Sequence, residues 1–264
     1  MRRAFLLILT TMSALSAFAW KYDSQTTSKQ EVVQMRVGAD FTKHWDCGVK
    51  LSIAEEVRFD LMYQLADSNF GPGFNKSYTT IALSYAPIEY VKFDAGYTMR
   101  ILGRRLTADY NEWLRHRVFF SVTGSYRFNV VKLYLRERAL CEIRTDSVNL
   151  KEKNQYDWLL RSRVGAEFHI LSKPNVKPYL WFELENTLNV PEYQQKNGHQ
   201  YISHIRTQTG VKWRVSRLSS LDFYYRFQYG YNRDINITRK NGYIQLDEEN
   251  HYTHSIGVTY NFDW

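Results

Sequence analysis

Residues 91–100, VKFDAGYTMR, alternate without a break. Val91, Phe93, Ala95, Tyr97 and Met99 stand against Lys92, Asp94, Gly96, Thr98 and Arg100. Successive side chains of an extended chain point to opposite faces, so this is a strand with one apolar and one charged side. A soluble sandwich would turn the apolar side into its core, and a membrane barrel would turn it to lipid. Strand length, connections and chain ends decide between the two.

The same period runs through most of the chain. Val33, Met35, Val37, Ala39 and Phe41 oppose Gln34, Arg36, Gly38 and Asp40. Leu51, Ile53, Val57 and Phe59 oppose Lys50, Ser52, Glu56 and Arg58, with Glu55 interrupting the apolar face at an expected bulge. Ile81, Leu83 and Tyr85 oppose Thr80, Ala82 and Ser84. Val118, Phe120, Val122 and Tyr126 oppose Arg115, Arg117, Ser121, Thr123 and Ser125. Further on, Val131, Leu133, Leu135, Ala139 and Ile143 oppose Lys132, Arg136, Arg138 and Glu142. Val164, Ala166, Phe168 and Ile170 oppose Arg161, Arg163, Glu167 and His169. Leu180, Phe182 and Leu184 oppose Glu183 and Glu185. Ile205, Val211 and Trp213 oppose His204, Arg206, Gln208 and Lys212. Leu221, Phe223, Tyr225 and Phe227 oppose Asp222, Tyr224, Arg226 and Gln228. The last stretch sets Ile256, Val258, Tyr260, Phe262 and Trp264 against Ser255, Gly257, Thr259 and Asn261.

Eleven such stretches of roughly 9 to 16 residues are visible, where about 9 to 11 tilted residues cross a bilayer. Soluble strands are shorter, usually about five or six residues. Tight turns near 43–47, 87–90, 128–129, 172–175 and 216–220 alternate with longer polar stretches at 62–77, 102–112, 145–157, 187–200 and 232–250. Short turns at one rim and long loops at the other are the plan of outer-membrane barrels. The expected fold is therefore all-β: a transmembrane, antiparallel, up-and-down β-barrel with short periplasmic turns and long extracellular loops. Even strand numbers prevail in bacterial single-chain barrels. That rule asks for twelve strands, the extra one drawn from 20–27, with ten as the alternative. Within the last loop, 235–246 can form a raised hairpin about Lys240-Asn241-Gly242.

The chain ends agree with export. Arg2 and Arg3 precede an uncharged, largely apolar run from Phe5 to Ala19, closed by Ala17-Phe18-Ala19, which reads as a signal peptide over 1–19 with the mature chain, and the barrel, over 20–264. No cysteine follows the small residues, which argues against a lipoprotein anchor. Removing two arginines and no acids lowers the net charge from +8 to +6. The basic residues alternate with apolar ones instead of gathering in a patch, so nucleic acid is not an expected partner. Mean hydropathy is low at −0.48 although aromatics make up 16% of the chain. That combination suits strands of which every second residue meets lipid. Cys47 and Cys141 fall near opposite ends of the drawn barrel, too far apart for a disulfide. Phe41, Tyr85, Tyr126, Trp213 and Trp264 collect near the short turns, and Trp113, Trp158, Tyr201, Tyr231 and Tyr252 near the long loops, as two interfacial girdles. The closing aromatics Tyr260, Phe262 and Trp264 have the form of an assembly signal. The expected partners are outer-membrane lipid and the barrel assembly machinery, and the expected location is the bacterial outer membrane.

The chain resembles the outer-membrane barrel family catalogued as domain of unknown function 2490 from about residue 31 to its end. The resemblance rests on Glu55-Glu56-Val57-Arg58-Phe59, Gly96-Tyr97 with Arg100, Arg115-His116-Arg117-Val118-Phe119, Lys177-Pro178-Tyr179 and Leu221-Asp222-Phe223-Tyr224-Tyr225-Arg226. It implies a barrel in the outer membrane and carries over no catalytic residue.

Chemistry is sparse in the pattern. There is no Gly-x-Ser-x-Gly elbow, no His-Glu-x-x-His motif and no glycine-rich phosphate loop. His254 and Ser255 are adjacent on a strand and so point to opposite faces, which disfavours them as a hydrolase pair. His251 and His254 could instead approach His204 across the sheet. No catalytic, cofactor-binding or metal residue is assigned, and no cofactor is expected. The pronounced feature is a charge ladder on the polar face. Arg36, Arg58, Arg100, Arg115, Arg117, Arg136, Arg138, Arg161, Arg163, Arg206 and Arg226 share it with Glu56, Asp94, Glu142, Glu167, Glu183, Glu185 and Asp222. Paired guanidinium and carboxylate groups would close the bore as a structural plug. The surplus of arginine would instead make a pore or cavity favour anions. A barrel enzyme acting on lipid or peptide is the remaining alternative.

Overall fold

The computed structural model describes residues 24–65, 68–70, 72–103, 113–145, 154–170, 175–190, 201–238 and 243–264. They form β1 (Ser24–His44), β2 (Val49–Leu65), β3 (Ser68–Phe70), β4 (Gly73–Ile88), β5 (Val91–Leu102), β6 (Leu114–Phe128), β7 (Val131–Arg144), β8 (Tyr156–Phe168), β9 (Val176–Thr187), β10 (Ile202–Arg214), β11 (Ser219–Thr238) and β12 (Tyr243–Asp263). Each long strand pairs antiparallel with the next in sequence, and β1 also pairs with β12, which closes the sheet into a barrel. Closure leaves no open edge, so every wall strand has partners on both sides.

The strand count differs from the expected twelve or ten. β3 is a three-residue piece that pairs only with the end of β2, from Tyr63 to Leu65, so the wall has eleven strands. The expected extra strand over 20–27 is not separate. Ser24–Thr27 run without a turn into the rest of β1, and residues 20–23 lie outside the described residues. With an odd count β1 and β12 run in the same direction, and they pair in parallel register from Ser24↔Gln245 to Thr42↔Asp263. The barrel is therefore up-and-down and antiparallel everywhere except at this seam.

Polarity is inverted relative to a soluble protein. Along β5, Phe93, Ala95, Tyr97, Met99 and Ile101 point outward, whereas Asp94 and Thr98 are buried inside. The largest fully buried side chains of the described residues are Arg36, Glu183, Ser121 and Ser255. Leu83, Phe120, Val164, Leu180 and Ile256 are among the exposed hydrophobics, with Ile256 at 66%. A soluble monomer rarely exposes one contiguous apolar band, so this outer surface fits lipid.

Turns hold one rim closely. Trp45 N–H donates to the Val49 carbonyl at 3.0 Å, and Gly48, at φ 80°, takes the left-handed position that the turn needs. Ser216 Oγ accepts from the Leu218 and Ser219 amides. At the opposite rim the stretches 104–112, 146–153 and 191–200, which hold most of the expected loops, lie outside the described residues. The last expected loop is largely strand. β11 and β12 stay paired up to Thr238↔Tyr243, with Ser24–Lys29 of β1 alongside 245–250, so a ribbon continues beyond the ends of β2 and β10. The bulge expected at Glu55 is absent. Glu55 keeps register with Ala39 and Thr79 and accepts from Thr79 Oγ1 at 2.5 Å, and the irregularity falls at Arg58/Phe59 instead. Cys47 is exposed, Cys141 is buried, and both are free thiols.

Candidate functional site

The lumen is built by register. Arg136 lies opposite Arg163, and Arg138 opposite Arg161, on β7 and β8. The next pairing sets Arg163 against Glu183 and Arg161 against Glu185, and the one after sets Glu183 against Arg206. A row of acids thus runs between rows of arginine. Glu183 accepts from Arg136 at 3.0 Å, Arg163 at 2.8 Å and Arg206 at 2.9 Å. Glu185 pairs with Arg161, with Arg206 at 3.0 Å and with His204 at 2.7 Å.

Two further clusters complete a belt around the bore. Glu142 takes Arg100 at 3.0 Å, Arg115 at 2.6 Å and Arg117. Glu56 takes Arg58 at 2.6 Å, with Arg36 at 3.9 Å. Arg226 donates to Gln208 Oε1 at 2.7 Å. The other ladder acids are held separately. Asp94 accepts from Lys92, Ser84 and Ser121, Glu167 pairs with Lys212 at 3.2 Å, and Asp222 accepts from the Tyr179 hydroxyl at 2.9 Å. The ladder residues thus divide into four groups around Glu56, Glu142, Glu183 and Glu185, apart from these three acids, Arg138 and Arg226.

Aromatic side chains share the lumen with the charges, and sequence reasoning did not pick most of them out. Tyr179, Trp181 and Tyr224 form a buried cluster, with Tyr134 packed against it. Arg163 lies 3.8 Å from the Trp181 ring centre, Arg58 lies 4.3 Å from that of Tyr78, and Arg138 lies 4.2 Å from that of Phe119. The available signal was glycine on the neighbouring strand. Tyr224 lies against Gly257 and Tyr134 against Gly165, so close that a Cβ there would meet the ring at 2.1 and 2.4 Å.

The aromatic cluster fills one side of the bore. On the other, below the belt and toward the short turns, lies a cavity of about 560 Å³. Arg117, Arg136, Arg138 and Arg161 line its inner part, and His44, Lys50, Lys92 and Asp263 lie toward its mouth.

The outer face carries its own polar pairs. His254 points outward and bonds the Tyr225 hydroxyl at 2.7 Å, while Ser255 is buried in the lumen, so the wall separates the two. His204 is engaged with Glu185, and His251 with Glu249 at 2.8 Å. At the chain's end Phe262 packs on Phe41 and Trp264, and the Trp264 amide donates to Thr42 across the seam at 3.0 Å. Tyr126 and Trp213 at this rim, and Trp113 and Trp158 at the other, are exposed.

No curated protein matches the chain. Among solved structures, one described as "NanC porin structure in rhombohedral crystal form" is similar over 85% of this chain and 97% of that chain, at 12% identity and a TM-score of 0.40. A family model matches residues 44–239, well over half of the chain, and the protein belongs to the family it describes, "Protein of unknown function (DUF2490)".

Proposed function

We propose that this protein is an outer-membrane β-barrel, exported by its signal peptide, whose lumen is closed at mid-height by the arginine–glutamate belt. It then acts as a membrane-embedded scaffold and not as an open pore. The observation that carries this reading is the state of the belt acids. Glu142, Glu183 and Glu185 are 2–3% exposed, and each is shared by two or three cations. Side chains held across neighbouring strands in this way crowd the bore at mid-height, and removing one side of a buried pair is costly.

A second reading, an anion-favouring pore, draws on the surplus of arginine. Eleven ladder arginines face four belt glutamates, and charge lining of one sign sets selectivity where a water path exists.

The location is tested by fractionation and detergent extraction. Recovery in the outer membrane, with a heat-dependent shift in gel mobility, is the expected result. A freely soluble periplasmic or secreted protein would overturn the reading.

A further inference from the structure

We propose that the short-turn end of the lumen binds a small organic oxyanion, held by the guanidinium of Arg138 in the cavity beneath the belt. The proposal uses the barrel of the preceding section but does not depend on whether its lumen is closed.

Two ladder arginines are taken by no acid among the described residues, Arg138 and Arg226; Arg226 donates to Gln208 Oε1, whereas Arg138 donates to nothing. Among the described residues it has no hydrogen-bond acceptor and no ion pair, and its shielded Nε–H has no partner. Its neighbours on either side are Ser121 and Arg161. The nearby acids are already committed: Asp94 to Lys92, Ser84 and Ser121, and Glu183 to Arg136, Arg163 and Arg206. A shielded cation beside other cations is unfavourable unless an anion or solvent compensates it. The lone pairs that would satisfy it must therefore come from the cavity that Arg138 lines.

The cavity's size and chemistry suit such an occupant. About 560 Å³ lies within the range of small-molecule sites. The planar fork of a guanidinium matches the two oxygens of a carboxylate or phosphate. Arg136, Arg161 and Arg117 add positive field around it, and the Phe119 ring offers an apolar face for the body of the molecule. The cavity reaches the short-turn rim at His44, Lys50, Lys92 and Asp263, and that mouth admits a ligand whether or not the belt closes the inner end.

The test is calorimetric titration of the detergent-purified barrel, at low chloride, with succinate and separately with inorganic phosphate. Folding of each variant is checked by its heat-dependent gel shift. Wild type is expected to bind at least one of the two saturably, and the preferred one identifies the oxyanion class. R138Q is expected to weaken binding by about tenfold or more. K132Q, at the rim outside the cavity lining, is expected to leave it unchanged. L140E places a carboxylate two residues along the same lumen face, where it can pair with Arg138. It is expected to fold and to abolish binding, and it carries the test if R138Q does not refold. The proposal is overturned if wild type binds neither anion, if R138Q or L140E binds as wild type does, or if K132Q loses as much as R138Q.

Discussion

Glu183 sits on a strand that reads in sequence only as apolar alternating with acid, yet in the barrel it is coordinated by arginines from three other strands. Alternation showed that these charges share a face, because a strand's side-chain period is two. It did not show which arginine meets which acid, because partners are chosen by register between strands, set by turns and by packing. The lumen aromatics were hidden for a related reason: tyrosine and tryptophan sit on polar and apolar faces alike. Trp181 shares the period-two face of Glu183, but that it packs with Tyr179 and Tyr224 under a stacked arginine is shown only by the structure. Exchanging Glu183 and Glu185 together for Gln tests the pairing at this scale. Removing one side of a buried pair leaves uncompensated charge, so unfolding in urea from lipid vesicles is expected to report a loss of about 3–5 kcal/mol. Unchanged stability would mean that these glutamates are solvated in the folded barrel.

Among the elements, the eleven alternating stretches of the sequence correspond to the eleven strands of the wall. The expectation that went astray came from the even-number rule, which called for a strand over 20–27; its described part, Ser24–Thr27, continues β1 instead. Nothing within one strand records the direction of the neighbour that closes a barrel, so the parallel seam was not legible. Parallel pairing is slightly weaker per residue, which makes β1–β12 the expected weak line of the wall. In a variant lacking Cys47 and Cys141, cysteines at Val37 and Val258, direct partners across the seam, are expected to form a disulfide on mild oxidation. An intervening strand would hold them about 9–10 Å apart, beyond bridging distance, so failure to cross-link would favour a twelve-stranded closure. The C-terminal aromatics are expected to bear on assembly. Phe262 and Trp264 pack at the short-turn rim of the same seam. Changing both to Asp is expected to lower outer-membrane levels, since it removes the aromatics expected to signal assembly and places charge on a lipid-facing boundary. Normal levels on quantitative blotting of membrane fractions would contradict this role.

For the whole molecule, the decisive property is that charge is inside and apolar surface is outside. The sequence carried that inversion in its long alternating stretches and low mean hydropathy. It could not say whether a bore lined by so many arginines stays open, because that depends on side chains meeting across neighbouring strands. In the structure the belt acids are buried among guanidiniums, and a cavity of about 560 Å³ lies toward the short turns. The central claim is that the belt closes the lumen to bulk ion flow. Its most direct test is conductance of the purified barrel in a planar bilayer, for wild type and for the Glu183/Glu185 to Gln variant, with reversal potentials under a salt gradient. Little or no steady wild-type current is predicted, with any current in the variant favouring anions; a large, steady wild-type conductance would contradict the closed lumen.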